Sequence, residues 1–213
     1  MKNKQTKIKR IFLDVDGVLA DFETAALKLW GLTGVEAQEV KCRGHLQGDN
    51  WDMIPRLSAV LDQQEPMTFQ TFWSKIVAEG PSFWTRLLIT TWSYALLEAV
   101  ETFVGVEWYL ATSPSNCSIA AQGKVRWIEA VLGRTFNRYY LCSHKHNLAS
   151  PGSVLIDDSL KNVKDFECYR DSNGNLVTTG GHGILFPALH NRLYGQAHDP
   201  VPYVKRELER LCI

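Results

Sequence analysis

The chain has 213 residues, 45% of them hydrophobic and 22% charged, with 23 Lys plus Arg set against 23 Asp plus Glu. These values exclude a disordered, fibrous or coiled-coil chain, leave no net basic field for a nucleic-acid polymer, and suit one core domain with a smaller inserted one. The five cysteines, an odd number without CxxC spacing, predict reduced thiols rather than a disulfide framework or a zinc site.

Near the start, Lys2, Lys4, Lys7, Lys9 and Arg10 form a basic leader. Asp14, Asp16 and Asp21 interrupt the run that follows, so it does not read as a signal peptide. No stretch reaches the roughly 18 apolar residues of a membrane span, and the expectation is a soluble cytoplasmic protein with no membrane partner. Ile11-Phe12-Leu13 predicts a fully buried strand. A side-chain period of two puts Asp14 and Asp16 on one side of its carboxyl end, and Gly17 turns the chain away. As a polar turn or calcium-loop fragment the Asp-x-Asp-Gly run is incomplete, since the other oxygen ligands and closing Glu of an EF-hand are missing.

Residues 24–30 read as a helix ended by Gly31 and Gly34. Residues 35–80 carry helical patterns around 56–63 and 68–78 and no strand pattern. The expected organisation is therefore a helical cap over 24–80, inserted into a core made of 1–23 and 81–213. Trp51, Phe69, Phe72 and Trp73 read first as cap core, with one or two of them facing the site. Residues 91–104 predict a helix, and 107–111 a strand ending in Thr112-Ser113-Pro114-Ser115. A helix over 124–132 closes at Gly133, and a strand over 138–142 leads into Ser143-His144-Lys145. Residues 154–156 form a strand ending in Asp157-Asp158-Ser159. Asn173-Gly174 signals a tight hairpin, 183–186 a last strand, and 204–211 an amphipathic outer helix. Strands alternating with helices predict an α/β fold, a Rossmann-like parallel sheet flanked by helices.

If those strands are parallel neighbours, their carboxyl ends bring Asp14, Asp16, Thr112, Ser113, Lys145, Asp157 and Asp158 together, at the end of an open sheet where ligands bind. Each type suits phosphate-ester chemistry. A carboxylate such as Asp14 is an oxygen nucleophile that forms an aspartyl-phosphate. Asp16, if its neighbours keep it protonated, can give a proton to the leaving alkoxide and later take one from water. Asp14 and Asp158 offer hard oxygens to magnesium, and four carboxylates without a cation would repel one another. Lys145, Thr112 and Ser113 balance charge on phosphoryl oxygens. Taken singly these residues have plainer readings. Thr112-Ser113-Pro114 opens a helix, Lys145 is a solvated lysine, Asp157-Asp158 caps a helix, and His144 and His146 lie in a surface loop.

In order and spacing the set resembles the haloacid dehalogenase superfamily of phosphotransferases: Asp14-Val15-Asp16-Gly17, Thr112 after Trp108-Tyr109-Leu110-Ala111, a lysine, then Asp157-Asp158 after Leu155-Ile156. More narrowly, residues 16–23, Ala111-Thr112-Ser113-Pro114, Lys124-Val125-Arg126-Trp127 and Leu155-Ile156-Asp157-Asp158 resemble the 5′(3′)-deoxyribonucleotidases. That resemblance implies a Rossmann-like core, a small helical cap, magnesium as cofactor, and a nucleoside monophosphate as the small-molecule partner. It makes Asp14 the nucleophile, Asp16 the acid/base whose carbonyl also binds the metal, and Asp158 the second metal carboxylate, with Asp157 beside it. By the same resemblance Phe22 would line the nucleoside pocket, whereas the family's cap aromatics do not align cleanly here, and Trp51 and Trp73 are the candidates for them. Lys145 is preferred over Lys124 as the third-motif lysine because it follows a strand. The segment 167–182 has no counterpart in the resemblance. A phosphatase for a sugar phosphate or other small metabolite, a phospho-signalling module of response-regulator type, and a silent nucleotide-binding protein stand as alternatives.

Overall fold

The computed structural model describes residues 8–46, 52–61, 67–114 and 117–212. It opens with β1 (Arg10–Leu13), whose Ile11, Phe12 and Leu13 are buried. A tight turn follows, in which the Gly17 amide donates to the Ala20 carbonyl. Helices α1 (Phe22–Leu29), α2 (Gly34–Leu46), α3 (Met53–Ser58) and α4 (Phe69–Ala78) come next, then α5 (Ser82–Thr85) and α6 (Ser93–Glu101). Then come β2 (Glu107–Thr112), α7 (Ser118–Leu132), β3 (Tyr139–Leu141), a 3-10 turn at Lys145–Leu148, and β4 (Ser153–Asp157). It ends with α8 (Leu160–Glu167), the antiparallel pair β5 (Cys168–Arg170) and β6 (Leu176–Thr178), β7 (His182–Leu185) and α9 (Val201–Cys212).

The main sheet has the order β3-β2-β1-β4-β7, and every pair in it is parallel. Since β1 is central and the crossovers run to β2 on one side and β4 on the other, the strand order reverses at β1. Leu13 pairs with Leu110 and Ile156, so Asp14 and Asp157 emerge at one level, with Thr112 one residue further along β2. The sheet buries Ile11, Leu13, Leu110, Val154 and Ile156 in one core with the helices, and Phe12, Ala111 and Leu155 against Phe166 of α8 in a second. Burial on both faces is why the strands read as unbroken apolar runs rather than alternating ones.

Several expected elements shift. Gly34, expected to end a helix, begins α2, for which no helical pattern is expected: its buried Ala37, Val40 and Gly44 share one helical face, but two of the three are small, so the apolar stripe is too weak to read. The helix expected over 56–63 begins earlier because the Asp52 carboxylate caps it, accepting from the Ile54 amide at 3.0 Å. The helix expected from residue 124 starts at Ser118, and α8 follows Asp157-Asp158 with Ser159 as its cap, in line with the plainer reading of that pair as a helix start. The hairpin signal sits in the link between β5 and β6, where Asp171 accepts from the amides of Asn173 and Asn175. Among the described residues no helix is long and apolar enough to cross a membrane.

Candidate active site

Asp14 stands directly beyond β1, its amide donating to the Ile156 carbonyl of β4 at 2.9 Å. Its Oδ1 accepts from the Val15 amide at 2.8 Å and pairs with Lys145 Nζ at 2.7 Å. That amine also reaches Asp157 Oδ2 at 2.6 Å, so Lys145 bridges the ends of β1 and β4. The short 3-10 turn after β3 carries Lys145 inward, where it is 4% exposed. Burial pushes its ammonium down, but the Asp14 and Asp157 carboxylates outweigh this and raise its pKa above the ordinary lysine value.

Lys124 is also in the site. Because α7 begins before it, this buried lysine lies well inside the helix and faces the strands. Its Nζ pairs with Asp16 Oδ2 and donates to Thr112 Oγ1 at 2.9 Å. The two lysines thus divide the two aspartates, Lys145 on Asp14 and Lys124 on Asp16. The other oxygen of Asp16, Oδ1, is buried without a hydrogen-bond partner.

One oxygen each from Asp14, Asp157 and Asp158 lies within 4.8 Å of the others. Burial raises the Asp14 carboxyl to about 7, opposed by Lys145 and reinforced by Asp157 and Asp16. Asp158 is likewise raised well above its ordinary value, first by burial, with His190 opposing and Asp157, Asp14 and Glu23 adding to it. Crowded, buried carboxylates of hard oxygen fit a divalent cation such as magnesium, which would remove their repulsion. Asp157 differs from the other two. Its oxygens already accept from Lys145, the Ser159 amide at 2.9 Å and the Asn162 side chain at 3.1 Å.

Gly17 accounts for how close Asp158 comes to the turn. Its φ is +77°, and a Cβ there would stand 2.0 Å from Asp158 Oδ2. Only glycine meets both conditions.

These groups open into a cavity of about 340 Å³. Asp14, Asp16, Ser113, Lys145 and Asp158 line its polar end, and Phe22, Met53, Ile54, Phe69, Phe72 and Trp73 its apolar wall. Phe22 packs against Trp73 at 6.1 Å between ring centroids, and Phe72 meets Trp73 edge-on at 5.4 Å. Trp51 lies outside the described residues. The structure therefore brings together Asp14, Asp16, Thr112, Ser113, Lys124, Lys145, Asp157, Asp158, Phe22 and Trp73.

Other groups around the cavity had no sequence signal. His190 and Asn191 follow β7, where the chain wraps back over the end of β4, and both are buried. Asn191 Nδ2 and His190 Nε2 each lie 3.1 Å from the Asp158 carbonyl. His190 Nδ1 lies 3.4 Å from Glu23 Oε1. Glu23 in turn pairs with Arg56. Burial pushes the Glu23 carboxyl up, yet the Arg56 guanidinium and the His190 ring outweigh it and hold it at about 2. Asn162, in the first turn of α8, was detectable only as a polar residue following Asp157 on a helix.

Comparison with solved structures bears on the fold. A haloacid dehalogenase-like family hydrolase from Streptococcus pneumoniae aligns with a TM-score of 0.52 at 17% identity, covering 94% of this chain and 98% of its own. The chain has the haloacid dehalogenase-like fold. Weaker likenesses include a family hydrolase from Deinococcus radiodurans with bound phosphate and sodium (TM-score 0.49, 15% identity, 97% and 89% covered). Another is the Bacillus subtilis hydrolase YfnB bound to magnesium (TM-score 0.46, 15% identity, 89% and 98% covered). No family model matches the sequence. In an open parallel sheet the crevice at the carboxyl ends of the strands, beside the point where the strand order reverses, is where ligands bind, and Asp14 and Asp16 stand there.

Proposed function

We propose that this protein is a magnesium-dependent phosphomonoesterase that hydrolyses (deoxy)nucleoside monophosphates through an aspartyl-phosphate on Asp14. The observation that carries the reading is the pairing of two adjacent aspartates with two different buried lysines at one strand end. Identical side chains held in unlike environments take unlike roles. Asp14, fixed by the Val15 amide and Lys145, attacks phosphorus while the bond to the ester oxygen breaks. Asp16, whose Oδ1 has no partner, gives a proton to that leaving oxygen. Water then attacks the phosphorus of the aspartyl-phosphate, and Asp16 takes its proton, which restores Asp14 and releases phosphate.

Asp14, Asp158 and the Asp16 carbonyl would hold the magnesium ion, which supplies charge neutralisation of the phosphoryl oxygens. Asp157 is read as the holder of Lys145 more than as a metal ligand, because its oxygens are already engaged. Lys145, Thr112 and Ser113 neutralise and position the phosphoryl group. The nucleoside assignment rests on the wall of Phe22, Phe69, Phe72 and Trp73, since flat apolar rings bind a base far better than a polyol. Helices α3 and α4 supply most of the cavity's apolar wall, and α2 to α4 are read as the cap that keeps bulk water from the reacting phosphorus.

Phosphate release from a panel of deoxyribo- and ribonucleoside monophosphates and sugar phosphates tests both halves. Turnover should stop on chelation of divalent ions, and Asp14→Asn should lower kcat by roughly 10⁴-fold or more. Full activity of that variant overturns the covalent route. Equal rates across the panel overturn the nucleotide assignment and favour a general small-metabolite phosphatase.

A further inference from the structure

We propose that His190 is a positioning residue for Asp158, held by Glu23 and, behind Glu23, by the buried Arg56 of α3; the inference rests on the reading in which Asp158 holds the divalent ion. His190 is 2% exposed and meets acceptors at both ring nitrogens. Nε2 lies 3.1 Å from the Asp158 carbonyl and 3.5 Å from its Oδ2, and Nδ1 lies 3.4 Å from Glu23 Oε1. Rotating the ring breaks contacts at both ends. Asn191 donates to the same Asp158 carbonyl at 3.1 Å, so two side chains converge on one backbone oxygen. Gly17 leaves no more than room for the Asp158 carboxylate. Asp158 is thereby gripped from its backbone and from its side chain. Groups that orient a ligating carboxylate set how well it binds the ion.

The grip extends into the inserted helices. Arg56 is fully buried, pairs with Glu23, and donates to the Lys41 carbonyl at 3.3 Å and the Asp52 carbonyl at 3.1 Å. How α2 and α3 seat on α1 therefore reaches the ion site through Arg56, Glu23 and His190.

The test is Mn2+ binding by the full, substrate-free chain, read by the free-Mn2+ EPR signal, with melting temperatures measured alongside. His190→Ala should weaken affinity by roughly 10- to 100-fold. His190→Gln, whose terminal amide reaches the position of Nε2, should recover most of that loss at a similar melting temperature, which a merely structural role does not explain. Wild-type affinity in His190→Ala, or equal weakening in both variants, overturns the proposal. Asp158→Asn separates the two levels: loss of Mn2+ there with normal binding in His190→Ala sinks the positioning role alone. Retained Mn2+ in Asp158→Asn sinks the underlying metal reading and the proposal with it. Should His190→Ala fail to fold, Glu23→Gln decides, because freeing the ring lowers affinity and unchanged affinity overturns the proposal.

Discussion

Gly17 is the residue at which backbone and chemistry meet most tightly. Gly17→Ala adds a methyl 2.0 Å from Asp158 Oδ2 and holds an L-residue at φ +77°. The Asp158 carboxylate has to move, and a displacement of about 1 Å in a catalytic group costs on the order of 100-fold in rate. Steady-state kinetics of Gly17→Ala should show a loss of that size in kcat, with only a modest drop in melting temperature. Full kcat in this variant would mean that Asp158 has no part in turnover. The same neighbourhood shows what single residues reveal in a sequence. Asp14, Asp16, Thr112 and Asp158 stood out because each follows an apolar strand, whereas His190 and Asn191 follow a loop whose return over β4 no local pattern announces.

At the scale of elements, α7 carries two opposed tendencies at one position. Replacing Gly123 by alanine raises helix propensity by about 1 kcal/mol. The added Cβ, however, would lie 2.6 Å from the Pro81 carbonyl oxygen and 2.7 Å from Trp84 Cβ, so α5 and α7 must separate. Overpacking of that kind costs about 1–3 kcal/mol, and it outweighs the propensity gain because the nearest atom is backbone. Thermal unfolding should therefore show Gly123→Ala melting several degrees below wild type, and a rise would show that the helices yield freely. The same element explains the ambiguity over the lysines. Read locally, Lys124 opens a helix and Lys145 is a loop residue. Once α7 starts at Ser118 and packs on the sheet, both amines arrive at the aspartates. Helix α2 went unread for a different reason, since two of its three buried residues are too small to leave a readable periodic trace.

Across the whole molecule, ion pairs join α1, α3 and the loop after β7. Glu23 is held at about 2, against an ordinary value of 4.5, by Arg56 of α3 and His190 of the loop after β7. A carboxyl with a lowered native pKa contributes stability that is fully present above its unfolded value and is lost as pH falls through the native one. The contribution is on the order of 3 kcal/mol at neutral pH and should disappear between about pH 5 and pH 2. Wild type should therefore lose melting temperature more steeply than Glu23→Gln over that window, in unfolding curves at matched ionic strength. Parallel curves would show that Arg56 and His190 do not depend on the Glu23 charge. A further tie runs from His45 of α2, whose ring stacks on Tyr194 at 4.0 Å and reaches the Leu189 carbonyl at 3.3 Å.

The sequence by itself determined the buried strands and the order in which their polar ends appear, because apolar runs and the residues that stop them are local properties of the chain. It also determined the Asp-x-Asp-Gly turn, whose glycine is required by backbone geometry. Only the tertiary structure decided which lysine meets which aspartate, which aromatics share the cavity wall, and that His190, Glu23 and Arg56 stand behind Asp158. Those pairings depend on strand order and on loops returning over the sheet, so they arise from contacts between residues far apart in the chain, and local periodicity carries no record of them.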